Sequence, residues 1–235
     1  MSDRPVRVAV IDSGVNASHP HIGTVAGGVA IAADGSTHPD YLDRLGHGTA
    51  VAAAIKERAP GADLLAVKVF HRDLTAPIEA LVAAIDWSAG QQADLINLSL
   101  GTANPDHAAV LADAVARAID AGALLVAAGT SDGVDYLPGS LPGVVRVELD
   151  WACPRLGVTV TGKSAAAVCR ASGYARPMPG VPLERNLKGI SFAVANTTGV
   201  LARELRAGGR ASVTIAFEAL RRGGAGNGQR DNLSS

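Results

Sequence analysis

The chain has 235 residues, 48% of them apolar and 18% charged, enough apolar material for one large core, which excludes a chain disordered along its length. Its 21 Lys and Arg against 22 Asp and Glu leave a net charge of −1, so there is no basic excess to neutralise a phosphate backbone and no nucleic-acid partner is expected. Two cysteines, Cys153 and Cys169, cannot build a disulfide framework, and every apolar run is broken well before the ~18 residues that a membrane span needs.

The first residues, Met-Ser-Asp-Arg-Pro, lead into an apolar strand at 6–11 without the longer apolar stretch and cleavage site of an export signal. That strand is a nearly continuous apolar run, which suits a strand covered on both faces. Residues 48–58 are Ala-rich and stop at Pro60-Gly61, the pattern of a helix. A strand at 64–69 follows, then a helix at 77–88 with Leu81, Ala84, Ile85 and Ser88 on one face. Leu95–Leu98 reads as a strand, and 107–121 as a helix with Val110, Leu111, Ala114, Val115 and Ala118 on one face and Gly122 as its C-cap. Strands at Leu124–Ala128 and 144–149 come next. The stretch 158–182 reads as irregular, broken by Gly and Pro, with only a weak two-residue alternation near Val158–Thr161. A helix at 191–207 is the last element expected, stopped by Gly208-Gly209. This strand–helix alternation predicts an α/β fold of three layers, α/β/α, around a mostly parallel central sheet. One domain is expected over 1–222, followed by a Gly/Asn/Gln/Ser-rich tail, 223–235, expected to be disordered.

Three segments carry chemistry. In Val8-Ala9-Val10-Ile11-Asp12-Ser13-Gly14 an acid ends a strand, where parallel sheets bind ligands, and the G-x-G-x-x-G of a dinucleotide site does not follow. In Gly46-His47-Gly48-Thr49 a histidine between glycines opens a helix; alone, it also reads as a simple cap. In Gly189-Ile190-Ser191-Phe192-Ala193 a serine begins a helix, and alone it reads as an N-cap. Taken together, Asp12, His47 and Ser191 stand in the order of one known acid–base–nucleophile triad.

With those residues in that order, the chain resembles the subtilisin-like serine peptidases. VAVIDSGVNASHP is similar to the family's aspartate segment, GHGTAVAAAI to its histidine segment and GISFAVANTTG to its serine segment. ADLINLSLG and GALLVAAG resemble two segments that line the substrate cleft in the family, and YLPGSLPGVVRVELD the strand region that follows. The resemblance implies a serine endopeptidase in which His47 takes the proton of Ser191 and Asp12 orients His47. It implies that Ser99, Leu100 and Gly101 pair with an extended peptide or protein substrate as an added strand. Ala127, Ala128 and Gly129 would form the opposite wall of the pocket for the side chain before the scissile bond. The N–H of Ser191 would be one oxyanion donor.

The second donor is where the pattern departs. Thr130 stands where the family has an asparagine, and loss of one such donor costs about 10²–10³ in turnover, a magnitude measured in this family. Three readings stay open: Thr130 donates instead, the enzyme is slow and selective, or catalysis has been abandoned. Ala50, Ile190 and Ala195 replace the family's usual histidine, threonine and proline. His21 replaces an acid that binds calcium in many members, and the loop after the histidine helix is cut short at Pro60-Gly61, so no metal and no cofactor are expected. His19-x-His21 lacks a third and fourth zinc ligand and reads as loop histidines. Asp132 and Asp135 read as solvated loop acids, with a basic substrate residue as the rival reading. No pro-domain and no signal peptide are discerned, so a cytoplasmic processing protease of narrow specificity is expected, with a leader or precursor peptide as one form of substrate. The competing expectations are a subtilase-like protein that binds a peptide without cutting it, and a protease that needs a partner protein to complete its cleft.

Overall fold

The structure is a computed structural model that describes residues 4–225, apart from 132, 164–166, 206 and 209–211. Its first strand, β1 (Arg7–Asp12), explains the three layers. Val8 and Val10 point into one apolar core and Ala9 and Ile11 into the other, so both faces are covered and the run is apolar throughout. The remaining strands are β2 (Gly27–Ile31), β3 (Thr37–His38), β4 (Asp63–Lys68), β5 (Leu95–Leu98), β6 (Leu124–Ala128), β7 (Thr130–Ser131), β8 (Val134–Asp135), β9 (Val145–Leu149), β10 (Val158–Thr161) and β11 (Val168–Ala171). The helices are α1 (His47–Arg58), α2 (Ile78–Gly90), α3 (Ala108–Asp120), α4 (Ile190–Glu204) and α5 (Val213–Ala225).

Among the described residues, nine strands form the main sheet in the order β10-β11-β9-β6-β5-β1-β4-β2-β3. Pairing is parallel from β11 to β2, and only the two outermost pairs, β10 with β11 and β2 with β3, are antiparallel. Side chains of α1, α4 and α5 fill one core, and those of α2 and α3 fill the other. The three-layer α/β/α fold with a mostly parallel sheet is therefore as expected. Because β1, β5 and β6 run parallel, Asp12, Ser99 and Gly129 end up at one edge of the sheet. No helix among the described residues is long and apolar enough to cross a membrane.

The expected strands and helices are all present, with ends moved by a few residues, but Val110, expected on the apolar face of α3, lies at the edge of that face and is exposed. The differences lie elsewhere. β2 begins with Gly27-Gly28, which hides its strand character. The stretch read as irregular holds β10 and β11, and the weak alternation at Val158–Thr161 is that of a half-buried edge strand. α5 was not expected; Ala216, Phe217, Ala219 and Leu220 on its inner face are buried. The helix runs through Gly223, so the boundary between 222 and 223 falls inside it, and residues 226–235 of the expected tail lie outside the described residues. Asp132 also lies outside them.

Candidate active site

Asp12 ends the central strand β1 and is fully buried. Its Oδ1 lies 2.7 Å from Nδ1 of His47, the first residue of α1, and accepts the N–H of Ser13 at 2.7 Å. With a carboxylate as its partner, Nδ1 is the protonated ring nitrogen, and Nε2 keeps its lone pair. Gly48 allows this approach: a Cβ built on it would lie 2.2 Å from the Gly14 carbonyl oxygen and 3.1 Å from Asp12 Oδ1.

A second acid, which the sequence reading did not single out, fixes the start of α1. Asp43 accepts five hydrogen bonds. Ser13 Oγ (2.9 Å), Leu45 N (2.9 Å) and Gly46 N (2.8 Å) donate to Oδ1; Thr49 N (2.9 Å) and Thr49 Oγ1 (2.6 Å) donate to Oδ2. Ser13 Oγ also accepts the N–H of Gly48 at 2.8 Å. Burial pushes the Asp43 carboxyl up, but the bonds from Thr49, Gly46 and Leu45 outweigh it and hold it below the ordinary carboxylate value. Burial likewise pushes the His47 imidazole down. The hydrogen bond and charge of Asp12, with the charge of Asp43, outweigh it and leave His47 above its ordinary value. The only sequence signal for Asp43 is an acid four residues before His47.

Ser191 is the second residue of α4, and Gly189 occupies the N-cap position, so the ordinary N-cap reading of Ser191 does not apply. Its Oγ donates to the Ser99 carbonyl at 3.2 Å. The ring of Phe192, the next residue, stands 5.7 Å from the His47 ring, centroid to centroid. α4 is tied to the strand below by buried polar groups: Thr198 Oγ1 donates to Asn97 Oδ1 at 2.9 Å, and Asn97 Nδ2 donates to Ser99 Oγ at 3.0 Å. The structure thus joins Asp12 to His47 directly and sets Ser191 against Ser99, with Phe192 beside the imidazole.

The other expected site residues fall on the two strand ends. Ser99 and Leu100 are half-buried and Gly101 is exposed, just past β5. Ala127, Ala128 and Gly129 are buried; the Ala127 side chain packs into the core shared with α3, so only its backbone can face the cleft. Thr130 is half-buried, and its hydroxyl donates to Asp135 Oδ1 at 2.7 Å and accepts from Arg146. A hydroxyl has one proton, so in this arrangement Thr130 has none left for an oxyanion. The N–H of Ser191 lies in the first turn of α4, where backbone donors have no intrahelical acceptor.

A cavity of about 260 Å³ shares Gly46, Asp43 and Thr49 with the α1 start and is lined further by His19, His21 and Leu187; it includes no residue of the two strand-end walls. His21 stands where the resemblance implies a calcium-binding acid. The Arg176 guanidinium donates to the His21 carbonyl at 3.4 Å, so this environment does not fit a hard cation. Among the described residues no three His, Cys, Asp or Glu side chains form a group that could hold a metal ion.

Residues 3–174 match a model described as the subtilase family, a span that holds Asp12 and His47 and ends before Ser191. The chain is 40% identical over 153 residues to a thermostable alkaline protease of Halalkalibacterium halodurans, covering 60% of this chain and 40% of that one. It is 35% identical over 161 residues to the minor extracellular protease Epr of Bacillus subtilis, covering 63% of this chain and 24% of Epr. It is 30% identical over 212 residues to subtilisin E of Bacillus subtilis, covering 83% and 52%. The chain thus spans between a quarter and about half of the length of these relatives. Among solved structures, a cold adapted subtilisin-like serine proteinase superposes with a TM-score of 0.68 at 23% identity, over 92% of this chain and 80% of that one. Sphericase gives a TM-score of 0.67, also at 23% identity, over 93% and 83%.

Proposed function

The chain belongs to the subtilase family, and from that premise we propose that it is a serine endopeptidase working through Asp12, His47 and Ser191. The observation that carries the proposal is the 2.7 Å bond between Asp12 and His47, which fixes the tautomer with a basic Nε2. His47 Nε2 takes the hydroxyl proton as Ser191 Oγ attacks the peptide carbonyl; the imidazolium so formed is held by Asp12 and later protonates the leaving amine. The Ser191 N–H, at the positive end of α4, faces the charge that develops on the carbonyl oxygen. The present contact of Ser191 Oγ with the Ser99 carbonyl is a resting one, and a change of χ1 rotamer releases it.

The substrate lies along Ser99, Leu100 and Gly101 as an extended strand, and the enzyme is a narrow-specificity processing protease. Support for narrow specificity is the occupied state of Thr130, which leaves fewer groups to stabilise the oxyanion of a poorly held substrate. A cytoplasmic place of work, with a precursor peptide as substrate, completes the reading. Its support is that Cys153 and Cys169 are buried and unpaired, with burial pushing both thiols up and away from the reactive thiolate. The test is hydrolysis of an unstructured protein, followed by mass spectrometry. Cleavage by the wild type and none by Ser191→Ala is expected; equal cleavage by both would remove Ser191 from the mechanism.

A further inference from the structure

The gap between the two strand-end walls is bridged by the protein itself. Thr102, just past the first wall, exchanges backbone hydrogen bonds with Leu137, each 2.9 Å long. Tyr136, one residue earlier, donates its N–H to the Gly129 carbonyl of the second wall at 2.7 Å. Tyr136 therefore bonds to the second wall and Leu137 to the residue that follows the first, so one backbone segment bridges the two sides. Gly139 closes the far end, so near the Ala128 carbonyl that a Cβ on it would lie 1.8 Å from that oxygen.

The ring of Tyr136 uses the room that remains. A Cβ built on Gly101 would stand 3.3 Å from Tyr136 Cβ and 3.7 Å from Cδ1. Gly101 has no side chain of its own, so its open side is faced by the Leu137 carbonyl oxygen, 2.9 Å from such a Cβ, and by the Tyr136 side chain. The second wall is held just as firmly. The Arg146 side chain packs on Gly129, where a Cβ would meet it at 2.1 Å, and Arg146 also pairs with Asp135 at 2.7 Å. That pair offsets the charge of Asp135, an acid that could have drawn a basic residue into this pocket.

We infer that Tyr136, lying between Gly101 and Gly129, floors this pocket and restricts the residue before the scissile bond to glycine, alanine or serine. The inference rests on the peptide-cleaving function proposed above and adds the substrate class. Selection works by exclusion: a large side chain would have to displace the ring or leave the cleft, whereas a small one needs neither.

Two peptides that differ only in alanine or phenylalanine before the cleaved bond test it. The wild type should favour the alanine peptide in kcat/KM by about 100-fold or more, and Tyr136→Gly should cut that ratio by about 30-fold. Tyr136→Ala is measured beside it, and only the ratio within each variant is read, so a general loss of activity does not disguise the result. The same peptides are titrated into Ser191→Ala, where the order of affinities appears without any cleavage, while hydrolysis by the wild type reports on the peptidase reading separately. Small-residue preference that collapses in both Tyr136 variants supports the inference. Equal or better use of phenylalanine by the wild type, a ratio unchanged in both variants, or no preference in the titrations overturns it.

Discussion

Replacing Asp43 by asparagine changes one atom and should change two measurements. The carboxylate accepts five hydrogen bonds, three at Oδ1 and two at Oδ2. An asparagine keeps its oxygen where three donors converge and turns its amide toward Thr49. The Thr49 hydroxyl can rotate and accept, but the Thr49 N–H faces another donor. One orphaned donor costs about 1–3 kcal/mol, and the three surviving bonds lose their charge assistance. Together these amount to about 2–4 kcal/mol, which lowers the urea midpoint by about 1 M or more. The second effect is on His47. Asp43 is one of the two charges that raise the imidazole against the pull of burial. Cleavage needs the neutral base, so the acid limb of kcat/KM in the wild type lies above the ordinary histidine value of about 6.5, and the variant moves it to lower pH. The linkage signs agree. His47, raised on folding, contributes stability below about 6.5 that is lost as pH rises through its folded value, and this contribution shrinks in the variant. Asp43, lowered on folding, contributes stability above about 3.9 that is lost as pH falls through its folded value, so wild type and variant converge in acid. Urea unfolding at neutral and acid pH, with a pH–rate profile on one peptide, checks both. An unmoved midpoint together with an unmoved acid limb would refute the role given to Asp43.

Gly48→Ala should lower kcat/KM by about 100-fold, because a Cβ 2.2 Å from the Gly14 carbonyl must push α1, and His47 with it, away from Asp12; activity within threefold of wild type would contradict this. Thr130→Val should leave kcat within about threefold, since the hydroxyl proton is already given to Asp135. Thr130→Asn, which offers a longer donor, should raise kcat toward 10²-fold, and a 10²-fold fall in the valine variant would show instead that the hydroxyl serves the oxyanion. EDTA should leave the thermal midpoint unchanged, because the Arg176 guanidinium already donates to the His21 carbonyl, an oxygen that a cation there would need; a drop of several degrees reversed by calcium would reveal a metal site.

Local pattern made much of this molecule readable. β1 announces itself by an apolar run that is buried on both sides, and Asp12 by standing at its end. His47 and Ser191 are legible because each stands at a helix start just past a glycine, one residue after Gly46 and two after Gly189. What stayed hidden depends on contacts between distant parts of the chain. Asn97 looks like a polar residue interrupting a strand, yet it joins Thr198, 101 residues later, to Ser99. Asp43 works through five donors from four residues, a property no spacing rule encodes. Thr130 could be placed by its neighbours, but Arg146 and Asp135, which occupy its hydroxyl, become its partners only when β7, β8 and β9 assemble. Tyr136 gave no signal at all, since its effect arises from facing Gly101 across a gap.

The activation of Ser191 by the Asp12–His47 pair is the claim on which the rest depends, and a fluorophosphonate probe reports on it directly. The reagent reacts with a serine only when a neighbouring base accepts its proton. Intact-mass measurement of the wild type should show a single adduct, located by peptide mapping on Ser191, with none on Ser191→Ala and a strongly slowed reaction on His47→Ala. An unlabelled wild type, or an adduct that persists in Ser191→Ala, would contradict the account and would favour a protein that holds a peptide without cutting it.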